Sequence, residues 1–175
     1  MQNTPEWPDD IFRVLQEQKL HLVTHVPDAG HSQLIRRCDS SSEFDVVTLT
    51  TEQDGIGLLA GAWAGNRKGV LLMQSSGVGN CINALALPAI CRVPLLTIIS
   101  MRGEWGEFVP WQVPMGQATP AVLQAMDVHV FRIENASETY DTVDAAAKFA
   151  YNTKRSCAVL LSQRLIGAKQ FTEGA

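Results

Sequence analysis

The sequence predicts an α/β protein: a doubly wound, mainly parallel six-stranded sheet with helices on both faces. Three observations carry this. Short β-branched or apolar runs alternate with longer segments of helical character along the chain. The run Pro94 to Ser100 is almost wholly apolar, as a strand buried on both faces of a parallel sheet must be. Turn and polar residues gather just after the strand runs, and parallel strands bring such loops to one edge of the sheet.

Taken in order, Trp7 to Gln18 is an amphipathic helix with Ile11, Phe12 and Leu15 on one side and Pro8-Asp9-Asp10 at its start. His21 to Val26 is the first strand, Pro27 to Gly30 a turn, His31 to Arg37 a short helix, and Asp39 to Glu43 a polar loop. Val46 to Thr50 is β-branched and reads as a buried second strand. It leads through Glu52 into a helix rich in Gly, Ala and Leu, with no charge from Gly55 to Gly65. Gly69 to Gln74 is the third strand, Ser75 to Asn80 the turn after it, Cys81 to Cys91 an apolar helix, and Pro94 to Ser100 the fourth strand. Met101 to Gln117 mixes Gly, Pro, Trp and both charge signs, and reads as a long irregular loop of the kind that carries function. Thr119-Pro120 starts a helix through Met126, with Thr as N-cap and Pro at the first helical position. Val128 to Ile133 is a strand, Ser137 to Asn152 a helix, and Cys157 to Leu161 the final strand. With no internal repeat and no linker, residues 1–175 are expected to form a single domain.

Composition narrows the function classes. A net charge of -4 argues against nucleic acid as the main partner, because binding to phosphates draws on a surplus of Lys and Arg. A charged fraction of 18% beside 46% hydrophobic residues suits a chain that hides surface in an assembly. Cys38, Cys81, Cys91 and Cys157 stand far apart without a CxxC pair, which argues against zinc and fits a reducing cytoplasm. Met1 to Asp10 lacks the basic and apolar regions of a signal peptide, and no apolar run is long enough to span a membrane.

Glu52 is the principal candidate for chemistry. It stands at the seam of strand and helix, where α/β folds present functional groups, and an uncharged helix after it suggests a dry surrounding. Desolvation there would raise its pKa toward the range of a usable acid or base. The structural alternative is an acid that favours the helix N-terminus electrostatically. Gly77 and Gly79 allow close approach of a ligand, but the nucleotide patterns fail: Ile82 stands where a third Rossmann glycine belongs, and no Gly-Lys-Ser/Thr is present. His25 reads as a core histidine, Asp54 as structural, Arg36 and Arg37 as solvated surface. Trp105 and Trp111 fit either a lid or a subunit contact.

Thr51-Glu52-Gln53 leading into Ala60-Gly61-Ala62, with Leu71 to Leu85 (LLMQSSGVGNCINAL), resembles the pyrimidine-binding (PYR) domain of thiamine-diphosphate enzymes. Within that family the chain is most similar to the sulfopyruvate and phosphonopyruvate decarboxylases. Val26-Pro27-Asp28 and Arg102-Gly103-Glu104, with Pro110, Gln112 and Met115-Gly116, match them too. The resemblance implies that Glu52 hydrogen-bonds N1′ of the cofactor's aminopyrimidine and favours the tautomer able to deprotonate the thiazolium, the step that prepares a 2-oxo acid for decarboxylation. It places Pro27, Gly77, Gly79 and Asn80 around the pyrimidine. Asp28, His31, Arg102 and Gln112 are candidates for facing the substrate, whose carboxylate and sulfonate call for cationic or donor-rich contacts. For His31 and Arg102 a purely structural role is the equal alternative.

The family also needs a Gly-Asp-Gly…Asn segment for magnesium and the diphosphate, and this sequence contains no Gly-Asp-Gly. The resemblance therefore implies the α chain of a split enzyme, sharing thiamine diphosphate with a β subunit that holds Mg2+ through its diphosphate-binding (PP) domain. A hetero-oligomer is expected, with room for self-association. The alternative is a non-catalytic regulatory or interaction subunit of the same fold.

Overall fold

The computed structural model describes residues 7–167. The reading of Met1 to Asp10 falls mostly outside them. Six strands, β1 (Leu22–His25), β2 (Asp45–Thr48), β3 (Gly69–Gln74), β4 (Leu95–Ser100), β5 (His129–Ile133) and β6 (Ser156–Leu161), form one sheet in the order β2-β1-β3-β4-β6-β5. Every neighbouring pair is parallel. The helices are α1 (Trp7–Glu17), α2 (Ser32–Asp39), α3 (Glu52–Ala64), α4 (Val78–Cys81), α5 (Ala86–Cys91), α6 (Val113–Ala125), α7 (Thr139–Thr153) and α8 (Gln163–Ile166).

Side-chain alternation along the strands splits the core in two. Val70 and Leu72 of β3 face Ile11 and Leu15 of α1, Leu34 of α2 and Val143 of α7. Leu71 and Met73 face Ile56 and Leu59 of α3, Cys81 of α4 and Leu123 of α6. This is the double winding expected. Because β1 feeds α2 on one face and β3 feeds α4 on the other, the strand order reverses between β1 and β3, and a crevice opens beyond their carboxyl ends.

Three sequence expectations change. The second strand is not buried: β2 lies at the sheet edge, with Asp45 and Thr48 exposed and Val46 and Val47 half-buried. Its apolar composition gave no sign of edge position, which is decided by pairing. The helix expected over Cys81 to Cys91 is broken. Pro88 has no N–H for the Ala84 carbonyl, which instead accepts from Leu87 N at 3.0 Å, so α4 and α5 are separated by a tight turn.

The irregular segment after β4 is shorter than expected, because α6 already begins at Val113, with Pro114 in its first turn. Thr119 and Pro120 therefore lie inside the helix. The Thr119 hydroxyl donates to the Met115 carbonyl at 2.8 Å instead of capping. What holds this glycine-containing first turn in place is close packing: a Cβ on Gly116 would come within 1.9 Å of the Arg102 carbonyl oxygen. The uncharged α3 keeps Glu52 buried, as expected, while Gly57 and Gly61 on its outer side are exposed and have no neighbour within 4 Å of an added Cβ.

Candidate functional site

Glu52 opens α3 and lies only 8% exposed. Its Oε2 accepts a hydrogen bond from Asn80 Nδ2 at 2.9 Å. Its Oε1 faces the bare Cα of Gly77, where a Cβ would stand 2.3 Å away. The strand-to-helix turn after β3 thus gives one donor to the carboxylate, and its bare glycine makes the room that the carboxylate itself occupies. Gly79 and Asn80 are exposed beside it, and Gly79 lies close enough to α6 that a Cβ would sit 3.4 Å from Met115 Sδ. Pro27 is exposed at the end of the β1 loop on the same sheet edge.

A second cluster fills the β1/β3 crevice. Gln74 Nε2 donates to Asp28 Oδ1 at 3.1 Å, Ser100 Oγ donates to Asp28 Oδ2, and Gln112 Nε2 donates to Gln74 Oε1 at 2.9 Å. Burial would raise the Asp28 pKa, but the neighbouring His31 charge and the bonds from Ser100, Gly30 N–H and Gln74 hold it below the usual carboxylate value. An ionised Asp28 accepts only. Gln74 must therefore donate to it with its amide nitrogen and present its oxygen to Gln112, which leaves Gln112 Oε1 buried without a donor. Asp28 and Gln112, from loops far apart in sequence, are brought together; Gln74 and Ser100, which join them, were not singled out from sequence. The available signal was their position, since each is a polar residue closing an apolar strand at its carboxyl end.

His31 is placed differently. It is 1% exposed, Nε2 lies 3.3 Å from the Met73 carbonyl, and Nδ1 has no partner. Burial pushes its pKa below the usual histidine value, against the pull of the nearby Asp28 carboxylate and the Met73 carbonyl. It lies inside the fold beneath Asp28. His25 is also buried; its Nε2 meets the Thr48 hydroxyl at 3.3 Å, while Nδ1 has no partner.

Arg102 spends its fork within the chain: Nε and Nη2 donate to the two oxygens of Glu107 at 2.7 and 2.6 Å. Glu107 also accepts from the Gly103 and Val109 N–H groups and from Gln163 Nε2. Arg102, outweighing burial, holds the Glu107 carboxyl down at about 2. Gln163 Oε1 in turn accepts from the N–H groups of Glu104 and Trp105. The 101–109 segment is therefore pinned by hydrogen bonds, with Trp105 and Phe108 partly exposed on its surface and Trp111 more so just beyond it. Asp28, Ser100 and Arg102 line a cavity of about 170 Å³ between the β1 loop and this segment. Among the described residues no group of His, Cys, Asp and Glu could hold a metal ion, and no helix is long and apolar enough to cross a membrane.

The fold and site define an α/β domain that presents a shielded carboxylate, held by Asn80, at the carboxyl edge of a parallel sheet. The fold is shared with a 2-oxoglutarate:ferredoxin oxidoreductase from Magnetococcus marinus, at a TM-score of 0.73 and 13% identity over 93% of this chain and 29% of that one. No family model matches the sequence. The chain is 33% identical over 152 residues to the sulfopyruvate decarboxylase subunit alpha of Methanococcus maripaludis, covering 86% of this chain and 91% of the relative. It is 30% identical to the same-named subunit of Methanocaldococcus jannaschii, covering 86% and 89%. A phosphonopyruvate decarboxylase of Streptomyces viridochromogenes is 32% identical over 72% of this chain but only 32% of its own length. The chain belongs to the family of sulfopyruvate decarboxylase alpha subunits.

Proposed function

We propose that this chain is the α subunit of a two-chain 2-oxo acid decarboxylase that uses thiamine diphosphate and acts on 3-sulfopyruvate, with 3-phosphonopyruvate the alternative substrate. The observation that carries this is the Glu52 carboxylate, buried at the carboxyl edge of the sheet, oriented by Asn80 and packed against the bare Cα of Gly77. A shielded, oriented carboxylate fits the ring nitrogen of an aminopyrimidine, for which it would hold a shared proton. When bound, the cofactor supplies the carbon nucleophile and the electron sink that decarboxylation requires. Asn80 and the close approach of Gly77 keep Glu52 in one orientation. The Asp28–Gln74–Gln112 chain offers fixed polar contacts on the same edge.

With no Gly-Asp-Gly in its sequence, the chain would depend on a β subunit for the diphosphate and Mg2+, giving a hetero-oligomer in the cytoplasm with its site between subunits. Family membership and the intact Glu52–Asn80 pair speak against a non-catalytic subunit. The test is co-expression with a partner chain bearing Gly-Asp-Gly, followed by carbon dioxide release from sulfopyruvate, phosphonopyruvate and pyruvate. Release from sulfopyruvate by the pair supports the proposal. Turnover by this chain alone would overturn the split site.

A further inference from the structure

The C-terminal ends of α5, α6 and α7 converge where β4 and β6 begin, on the sheet edge opposite Glu52. Between them lies a groove of about 450 Å³, lined by Pro88 and Arg92 of the α5 end, Asp127 after α6, and Lys154, Arg155 and Ser156 of the α7–β6 turn. Its floor is Ser156, the first residue of β6, paired in register with Leu95. Ala158 and Leu160 pack into the same cluster as Leu85 and Leu123. Strand alternation therefore points Ser156 to the α5–α6 side, into the groove. Ser156 is 6% exposed, and its buried hydroxyl oxygen has no hydrogen-bond partner. A hydroxyl stripped of water and given no partner is a liability unless something completes it.

The charges around it are lopsided. Asp127 pairs with Arg155 at 2.5 Å, while no described residue pairs with Arg92 or Lys154. In a chain of net charge -4, this groove keeps two uncompensated cations beside an orphaned donor. Cations at helix C-termini ordinarily serve the end carbonyls. Here backbone N–H groups already reach back to those turns: Val93 N to Pro88 O at 3.1 Å, Val128 N to Leu123 O at 3.0 Å, and Arg155 N to Ala150 O at 3.2 Å. Closing these turns puts Arg92, Asp127 and Lys154 at φ of 52°, 59° and 55°, where glycine or asparagine is the less costly residue. Long cations occupy positions at which the backbone alone would favour glycine.

We propose that this groove binds the phosphoryl group of a small metabolite, with Arg92 and Lys154 supplying charge and Ser156 Oγ a directional hydrogen bond. A guanidinium fork and an ammonium beside a hydroxyl donor match a tetrahedral oxyanion, and the volume has room for more than the phosphoryl group itself.

Inorganic phosphate is the probe. Titrated into the 15N-labelled full chain at constant ionic strength, it is expected to give saturable amide shifts confined to residues 88–93, 127–128 and 153–156, with Glu52 and Gly77 unmoved. Arg92→Gly and Lys154→Gly remove the cations while easing the backbone, so the fold is kept. Each should weaken binding about tenfold, and the pair together should abolish it. Ser156→Ala also removes the orphaned hydroxyl and should weaken binding several-fold without lowering the melting temperature. The proposal is overturned if the shifts do not saturate, if chloride reproduces them at equal ionic strength, or if the double variant binds phosphate as the wild type does.

Discussion

The Cα of Gly77 and the carboxylate of Glu52 are so close that a single methyl group at residue 77 would lie 2.3 Å from Oε1 and 2.4 Å from Cδ. The acid at the head of α3 and the turn after β3 are thus fitted to one another across the sheet edge. Only a residue without a side chain leaves the carboxylate where Asn80 holds it.

Gly77→Ala should therefore separate folding from function. The atoms it strikes are the free end of a flexible side chain, so Glu52 swings aside and the melting temperature falls by no more than about 4 °C. Turnover with the partner subunit should fall roughly 100-fold, the scale expected when a positioned proton-transfer group is lost. Glu52→Gln should abolish turnover while assembly survives. Carbon dioxide release and analytical size-exclusion chromatography check both, and an active Glu52→Gln complex would refute the assigned role.

Glu107 gives a pH signature. Its carboxyl is held at about 2 against the usual 4.5, by Arg102 first and by the surrounding N–H donors. A depressed folded-state pKa means stability that is fully present above pH 4.5 and lost as pH falls through the folded value of about 2. The melting-temperature gap between wild type and Glu107→Gln should be constant from pH 7 down to about 4.5 and then close progressively toward pH 2. Circular dichroism melts across that range measure it. A gap that widens on acidification would contradict the pinned 101–109 segment.

The glycines divide by what surrounds them. A Cβ on Gly116 would meet the Arg102 carbonyl oxygen at 1.9 Å, backbone against backbone, and Gly116→Ala should destabilise by about 2–3 kcal/mol. Gly57 and Gly61 have nothing within 4 Å. Alanine at either should stabilise the chain by roughly 0.5–1 kcal/mol through helix propensity. The same two alanines should weaken association with the partner if the smooth α3 face is where subunits meet. Melting curves and a subunit titration read the two effects separately.

The thiols should report burial. Cys38, Cys81 and Cys157 are buried and their pKa values are pushed up to about 12 by desolvation, with the Glu52 charge adding to it at Cys81. Cys91 is exposed. A charged disulfide reagent should modify one thiol per native chain and all four in denaturant, with Cys91 the residue identified by mass spectrometry. Modification of Cys81 in the native chain would show that the wall behind Glu52 opens.

The strand runs, their parallel pairing and the carboxyl-edge position of Glu52, Gly77 and Asn80 follow from local pattern. Apolar runs of strand length alternating with helical segments leave few other ways to bury their surface. The motif residues also lie within two short stretches, 51–62 and 71–85, so their association needed little more than two adjacent loops. Other features were decided across the molecule. Val46 and Val47 look like core residues, yet strand order puts β2 at the edge. Thr119-Pro120 looks like a helix start, yet packing of Gly116 on Arg102 extends α6 back to Val113. Arg102 looks like an anion ligand, yet Glu107, five residues on, claims its fork. The bridge Asp28–Gln74–Gln112 joins three loops through hydrogen bonds whose donors and acceptors are ordinary in sequence. A pattern of periodicity fixes which residues face inward; only the three-dimensional pairing of strands and loops fixes which partner each polar group finds there.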